Sequence, residues 1–153
     1  SSANNNIRTL GVALSPCILP EAGKPTFEIK DDEIEIGMGI HGEPGIKREK
    51  LRSADQLSDD LCKRILEDYK LNAEDQVSIM INSLGATPLE ELYIISKRVH
   101  ENFSKLKIKI TKSYVGRYAT SMEMAGMSIT VFKLDSELKK YLLTPSDCPF
   151  WYN

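Results

Sequence analysis

Apolar and polar positions alternate most cleanly over residues 33–40, where Ile34, Ile36, Met38 and Ile40 fall on one side and Glu35, Gly37 and Gly39 on the other. A period of two places alternate side chains on opposite faces, so this segment predicts a strand with one apolar side. It runs into residues 41–45 (HGEPG), whose composition is that of a turn. Residues 10–14 (LGVAL) form a short apolar run ended by Pro16 and Pro20, and residues 77–81 (VSIMI) are nearly continuous in apolarity. The latter pattern suits a strand buried on both faces. Further strands are expected at residues 27–29, after a loop at 21–25, and at 108–115 and 127–134.

Between the strands the period changes. Ser53 with Gln56 makes a capping box, and Leu57, Leu61, Ile65, Leu66 and Tyr69 then recur at helical spacing. Thr87 with Glu90 suggests a second box, with Pro88 at the first helical position, where its missing N–H costs nothing. Leu92, Ile95, Val99 and Phe103 mark that helix's core face, and Asp135 caps a short helix reaching about Leu143. The aromatic tail at residues 149–152 (PFWY) is expected to dock on the body. The sum is an α/β fold, a layered mixed β-sheet with flanking helices, because the early part holds more strand than a purely parallel sheet needs. There is no internal repeat or low-complexity tract.

Composition narrows the function classes. Twenty basic and 22 acidic side chains leave a net charge of −2. A chain so balanced is not built around a phosphate backbone, so no nucleic-acid partner is expected. No apolar run approaches the ~20 residues of a membrane span. The 3 cysteines are far apart, no Cys-x-x-Cys pair occurs, and His41 and His100 are the only histidines. A disulfide framework and a metal site are therefore not expected, and a reduced, cytoplasmic location is. Residues 1–9 open SSANNN without an initiator Met or a signal-peptide pattern. They read as a polar linker, tag remnant or cut point, and the chain as a piece of something longer.

The candidate chemistry concentrates at residues 37–45, which hold four of the nine glycines. Glycine at that density weakens a strand unless a ligand or another backbone must come close. His41 sits there with an accessible ring, and neutral imidazole is a nucleophile; Glu43 could orient it or accept a proton. On these residues alone a solvated turn histidine, with glycines that serve only the turn, is the simpler reading. Residues 82–88 (NSLGATP) lie where a strand meets a helix, a place that can hold an anion, but the glycines and lysine of a phosphate loop are absent and a capped turn is the simpler reading. His100 falls off its helix's core face and is expected to be exposed. Residues 120–126 (TSMEMAG) are small and polar enough to line a cleft, with packing the simpler reading. Lys47, Arg48, Lys50 and Arg52, diluted by Glu49, read as a solvated face.

Several segments resemble, in the same order, the substrate-binding subunit of dihydroxyacetone kinases. They are GVALS at 11–15, Pro20 with Gly23, Lys24 and Pro25, EIEIGMGIHGEPG at 33–45, LGATPLEELY at 84–93 and TSMEMAGMSIT at 120–130. The resemblance runs from about residue 10 to about 143, and GIHGEPG is its most specific part.

The resemblance implies that His41 binds dihydroxyacetone covalently, a ring nitrogen adding to the ketone carbon to give a hemiaminal, with Gly39, Gly42 and Glu43 as substrate-binding neighbours. Glycerol, having no carbonyl, would be refused, and discrimination by such a bond exceeds the ~1–3 kcal/mol of pocket fit. Phosphoryl transfer would follow at a terminal hydroxyl of the tethered substrate. ATP or ADP with Mg would sit on a partner subunit or domain, and no cofactor in this chain. The resemblance also implies a homodimer and a missing N-terminal half carrying acid/base groups, since family members are about twice this length. Residues 10–153 would be the C-terminal half, inactive alone. The end at Asn153 leans toward separate subunits using a phosphoenolpyruvate-dependent donor rather than one ATP-dependent chain. The alternative is a dihydroxyacetone-sensing paralogue that acts on a transcription factor.

Overall fold

The computed structural model describes residues 2–21, 23–40, 44–149 and 151–152. After a single turn, α1 (Ser2–Asn5), the chain lays down β1 (Ile7–Ala13), β2 (Glu33–Ile36) and β3 (Lys47–Lys50). Then come α2 (Ala54–Asp68), β4 (Gln76–Ser83), α3 (Leu89–Lys105), β5 (Lys109–Gly116), β6 (Gly126–Leu134) and α4 (Ser136–Leu142). A small hairpin, β7 (Asp147–Cys148) and β8 (Trp151–Tyr152), ends the chain. The main sheet has the order β3-β2-β1-β6-β4-β5. β4 and β5 run parallel, joined through α3, while β1, β2, β3 and β6 pair antiparallel with their neighbours. A parallel pair needs a crossover, and a helix supplies it. The mixed α/β sheet expected from the sequence is thus the observed one.

Both long helices pack on one face of the sheet. Val77, Ile79 and Ile81 of β4, Met127, Ile129 and Val131 of β6, and Ile34 and Ile36 of β2 meet Leu57, Leu61 and Ile65 of α2 and Leu92, Val99 and Phe103 of α3 in one cluster. Burying each such side chain is worth roughly 1.5–3 kcal/mol. The first capping box forms as expected: Gln56 N donates to Ser53 Oγ and Ser53 N donates to Gln56 Oε1, each at 3.3 Å. Asp135 caps α4, its carboxylate accepting from Leu138 N at 2.7 Å.

Five expectations change. The strand expected at 33–40 stops at Ile36, because Gly37 takes φ +84°, a left-handed value that ends the ladder. Residues 27–29 form no strand; half-buried Phe27 instead packs beside a second cluster of Ala13, Cys17, Met38, Leu84 and Met124. The box at Thr87 and Glu90 is not made. Pro88 is the N-cap, and Thr87 Oγ1 accepts from Gly126 N at 2.8 Å, tying the helix start to the sheet. Residues 7–9, expected in the polar lead, are the first rungs of β1, and Asn6 is held by Tyr69 Oη at 2.6 Å. Lys47–Lys50 is an edge strand. Four polar residues in a row carry no alternation to read, yet an edge rich in lysine is a common way to discourage further pairing.

Of the aromatic tail Trp151 docks, while Phe150 lies outside the described residues. The Trp151 ring lies 4.6 Å from that of Tyr114 and 5.4 Å from that of Tyr118, centroid to centroid. The hairpin thereby leans on the last residues of β5 and the loop that follows.

Candidate functional site

The sheet's other face is polar and open. By alternation, Thr9, Gly11, Glu35, Met80, Asn82, Ser128 and Thr130 point away from the helices. On this face lies a cavity of about 490 Å³, floored by Thr9, Asn82, Ser128 and Thr130 and walled by Gly11, Gly37, Gly39 and Ile40 among others. The Thr9 and Thr130 hydroxyls share a hydrogen bond of 2.9 Å across the floor.

The glycine-rich segment at residues 37–45 leaves and returns at the end of β2. At its near foot Gly37 N donates to Gly11 O at 2.7 Å. At its far foot Ile46 N donates to Ile36 O at 2.7 Å and Gly45 N donates to Glu35 Oε1 at 2.8 Å. The far foot comes in so close that a Cβ on Gly45 would stand 2.5 Å from Ile36 O. Between the feet, Met38 is buried in the second cluster while Gly39 and Ile40 border the cavity. His41, Gly42 and Glu43 lie outside the described residues, and Gly39 lies on the cavity wall.

Two residues whose roles the sequence does not signal organise the site. Glu35 is 8% exposed, and its second carboxylate oxygen accepts from Arg48 Nη2 at 2.9 Å. Burial pushes the Glu35 carboxyl up, but the Arg48 guanidinium and the Gly45 N–H outweigh it and hold the group below the usual range. Asn82, 3% exposed, pins the loop after β5. Its Oδ1 accepts from Tyr118 N and Ala119 N at 2.8 and 3.0 Å, and its Nδ2 donates to Ala119 O at 2.7 Å. Ala119 in turn lines the cavity.

The other candidate segments resolve as follows. Residues 82–88 are a capped turn: Leu84 N, Gly85 N and Ala86 N already donate to Gly126 O, Ser83 Oγ and Met124 O. Residues 120–126 serve both readings. Met124 is core, and Thr120, Ser121 and Met122 line a second cavity of about 430 Å³ that meets the first at Ile40. His100 is exposed and bonds Ser113 Oγ at 2.8 Å on the helix side of the sheet, away from the cavity. The basic cluster is a paired surface. Arg48 meets Glu35, Lys50 meets Asp32, Lys47 meets Glu49, and Arg52 meets Glu49 and Asp60. Among the described residues no group of three His, Cys, Asp or Glu could hold a metal ion, and no helix is long and apolar enough to cross a membrane.

Comparison with known proteins places this geometry in a lineage. The family model described as the Dak1 domain matches residues 1–150. Over 132 residues the chain is 50% identical to the PTS-dependent dihydroxyacetone kinase 1, dihydroxyacetone-binding subunit DhaK, of Listeria innocua, covering 86% of this chain and 40% of that protein. Among solved structures it is similar to the dihydroxyacetone kinase operon co-activator Dha-DhaQ, with a TM-score of 0.86, 31% identity, and 94% of this chain matched to 45% of that one. The dihydroxyacetone kinase from C. freundii in complex with AMP-PNP and Mg2+ gives a TM-score of 0.76 and 30% identity over 94% of this chain and 26% of that one. The chain therefore spans less than half the length of these relatives. A match over nearly every residue, on a sheet with the same architecture, establishes that the chain belongs to the Dak1 domain family.

Proposed function

We propose that the chain is the ketose-capturing, C-terminal half of a dihydroxyacetone kinase subunit, spanning residues 10–153. One observation carries this reading: the glycine-rich loop that bears His41 is clamped at both feet and borders a cavity on the sheet's open face. In the capture step a ring nitrogen of His41 adds its lone pair to the ketone carbon of dihydroxyacetone. The carbonyl π bond breaks, its oxygen takes up a proton, and the other ring nitrogen gives one up. The product is a neutral hemiaminal. Gly39, Gly42 and Glu43 are the substrate-binding neighbours of His41 in this reading.

Cavities of roughly 300–1,000 Å³ serve drug-sized ligands, so a three-carbon ketone uses only part of this one. The remaining opening admits the donor phosphoryl group. The nucleotide, ATP or ADP with Mg, sits on a partner kinase subunit or domain, and the acid/base groups belong to the other half of the subunit. The 153-residue chain alone turns nothing over. The subunit is a cytoplasmic homodimer.

A second reading, a sensor that regulates transcription, is favoured by the TM-score of 0.86 to a co-activator. Identity of 50% to a kinase subunit, against 31% to that co-activator, favours the kinase.

The test is carbon NMR of the full-length subunit with dihydroxyacetone labelled at the ketone carbon. A protein-bound tetrahedral carbon signal is expected, absent in His41→Asn. Its persistence in that variant would refute the role of His41. Adding the partner kinase subunit and nucleotide separates the two readings, because only the kinase converts the bound ketone to its phosphate.

A further inference from the structure

We propose that Glu35 is a positioning residue for the capture step: its carboxylate holds the far foot of the glycine-rich loop that carries His41. This rests on the capture role given to His41 above.

A glutamate on a strand facing away from the helices would ordinarily sit in water. Glu35 is 8% exposed, and a buried carboxylate is costly unless each oxygen finds a donor. Both do: Oε1 accepts from Gly45 N at 2.8 Å and Oε2 from Arg48 Nη2 at 2.9 Å. Arg48 stands directly across the β2–β3 ladder from Glu35, so strand pairing itself delivers the guanidinium. The carboxylate thus links the edge strand to the loop.

The loop needs such a link. Four glycines in nine residues leave the backbone many conformations, each of which must be given up to hold one geometry. Counting on from His41, Pro44 has no N–H, so Gly45 offers the first backbone donor beyond the HGE tripeptide. That donor meets a side chain, not a sheet carbonyl. The fit is close: a Cβ on Gly45 would lie 2.7 Å from Glu35 Cγ, so the two residues specify each other. The near foot is fixed independently by the Gly37 N to Gly11 O bond. Both feet are thus held, and a misplacement of about 1 Å in a reacting group can cost on the order of a hundredfold in rate.

The test separates reach from charge in the full-length subunit assayed with its partner kinase. Glu35→Gln has the right length and no charge; Glu35→Asp keeps the charge but falls a methylene short of Gly45. Glu35→Asp should raise KM for dihydroxyacetone about tenfold while kcat stays within about threefold, the mark of weakened capture with unaltered transfer. Glu35→Gln keeps one acceptor oxygen, enough for Gly45 N once the half-exposed Arg48 turns to solvent, and should raise KM by no more than about threefold. Amide exchange at Gly45, measured without ketose, should quicken in Glu35→Asp and not in Glu35→Gln. Wild-type KM in Glu35→Asp, equal damage in both variants, or unchanged exchange at Gly45 would overturn the role. A wild-type subunit that captured no ketose would overturn the functional reading and this role together, whereas capture by wild type with no loss in Glu35→Asp overturns this role alone.

Discussion

The two faces of one sheet do different work with adjacent residues. Val77, Ile79 and Ile81 of β4 point into the helices and are at most 1% exposed. Ser78, Met80 and Asn82, one residue along in each case, point the other way. The helix side is closed by apolar contact with α2 and α3. The open side carries polar groups whose hydrogen bonds run to loops: Glu35 to the glycine-rich loop and Asn82 to the loop after β5. Apolar packing is non-directional and tolerates approximate fits, whereas a hydrogen bond fixes a direction and a distance. A site that must hold a small ligand in one orientation is better served by the second kind of face.

The largest effect should be functional: His41→Asn removes ketose capture altogether while unfolding stability, followed by urea titration, stays within about 0.5 kcal/mol. A large stability loss would mean that the open face is structural after all. On the helix side the reverse holds. Phe103 is fully buried, and Phe103→Ala should cost about 3–5 kcal/mol in the same titration, with capture by the folded fraction retained.

Asn82→Ala should show both signatures. It strips the partner from Tyr118 N–H, Ala119 N–H and Ala119 C=O, so about 1–3 kcal/mol should be lost together with weaker capture. Unchanged affinity for the ketone would separate the β5–β6 loop from the site.

The smallest effect is electrostatic and lies on the helix side. The Arg98 guanidinium, helped by Asn102, draws the Asp59 carboxyl down from 3.8 to about 2. A depressed carboxylate stabilises the fold above its ordinary range, and that contribution fades as pH falls from about 4 toward 2. The Asp59 side chain is 43% exposed, so solvent screening limits the contribution to about 0.5–1 kcal/mol. Asp59→Asn should flatten the stability profile over that window. A profile unchanged by the substitution would leave the pair without energetic weight.

How much of this was legible in the sequence follows the range of the interactions. The helical stripes of α2 and α3 and the apolar run of β4 are local patterns, and they read correctly. The glycine-rich loop announced itself by composition, and its family resemblance by its order of residues. Glu35 looked like any outward polar residue, because its burial depends on Gly45 returning ten positions later and on Arg48 across a strand that has no apolar pattern at all. Asn82 binds backbone groups 36 and 37 positions away. Thr87 misled in the same way: a local box was available, but Gly126 N, 39 residues distant, claimed its hydroxyl.

Trp151, tilted over Tyr114 and edge-on to Tyr118, is the chain's one tryptophan. The backbone of Tyr118 is fastened to Asn82, and its neighbour Ala119 faces the cavity. An indole in that position is an optical gauge built into the molecule. Excited at the red edge, where tyrosine does not absorb, this chain emits from a single point one residue removed from the cavity rim. Release of the terminal hairpin into water should shift that emission to longer wavelength, and motion of the β5–β6 loop should alter its quenching. A ketose that shifts this loop on binding should therefore change the emission of unlabelled protein, and emission unchanged by saturating ketose would show that the loop stays still.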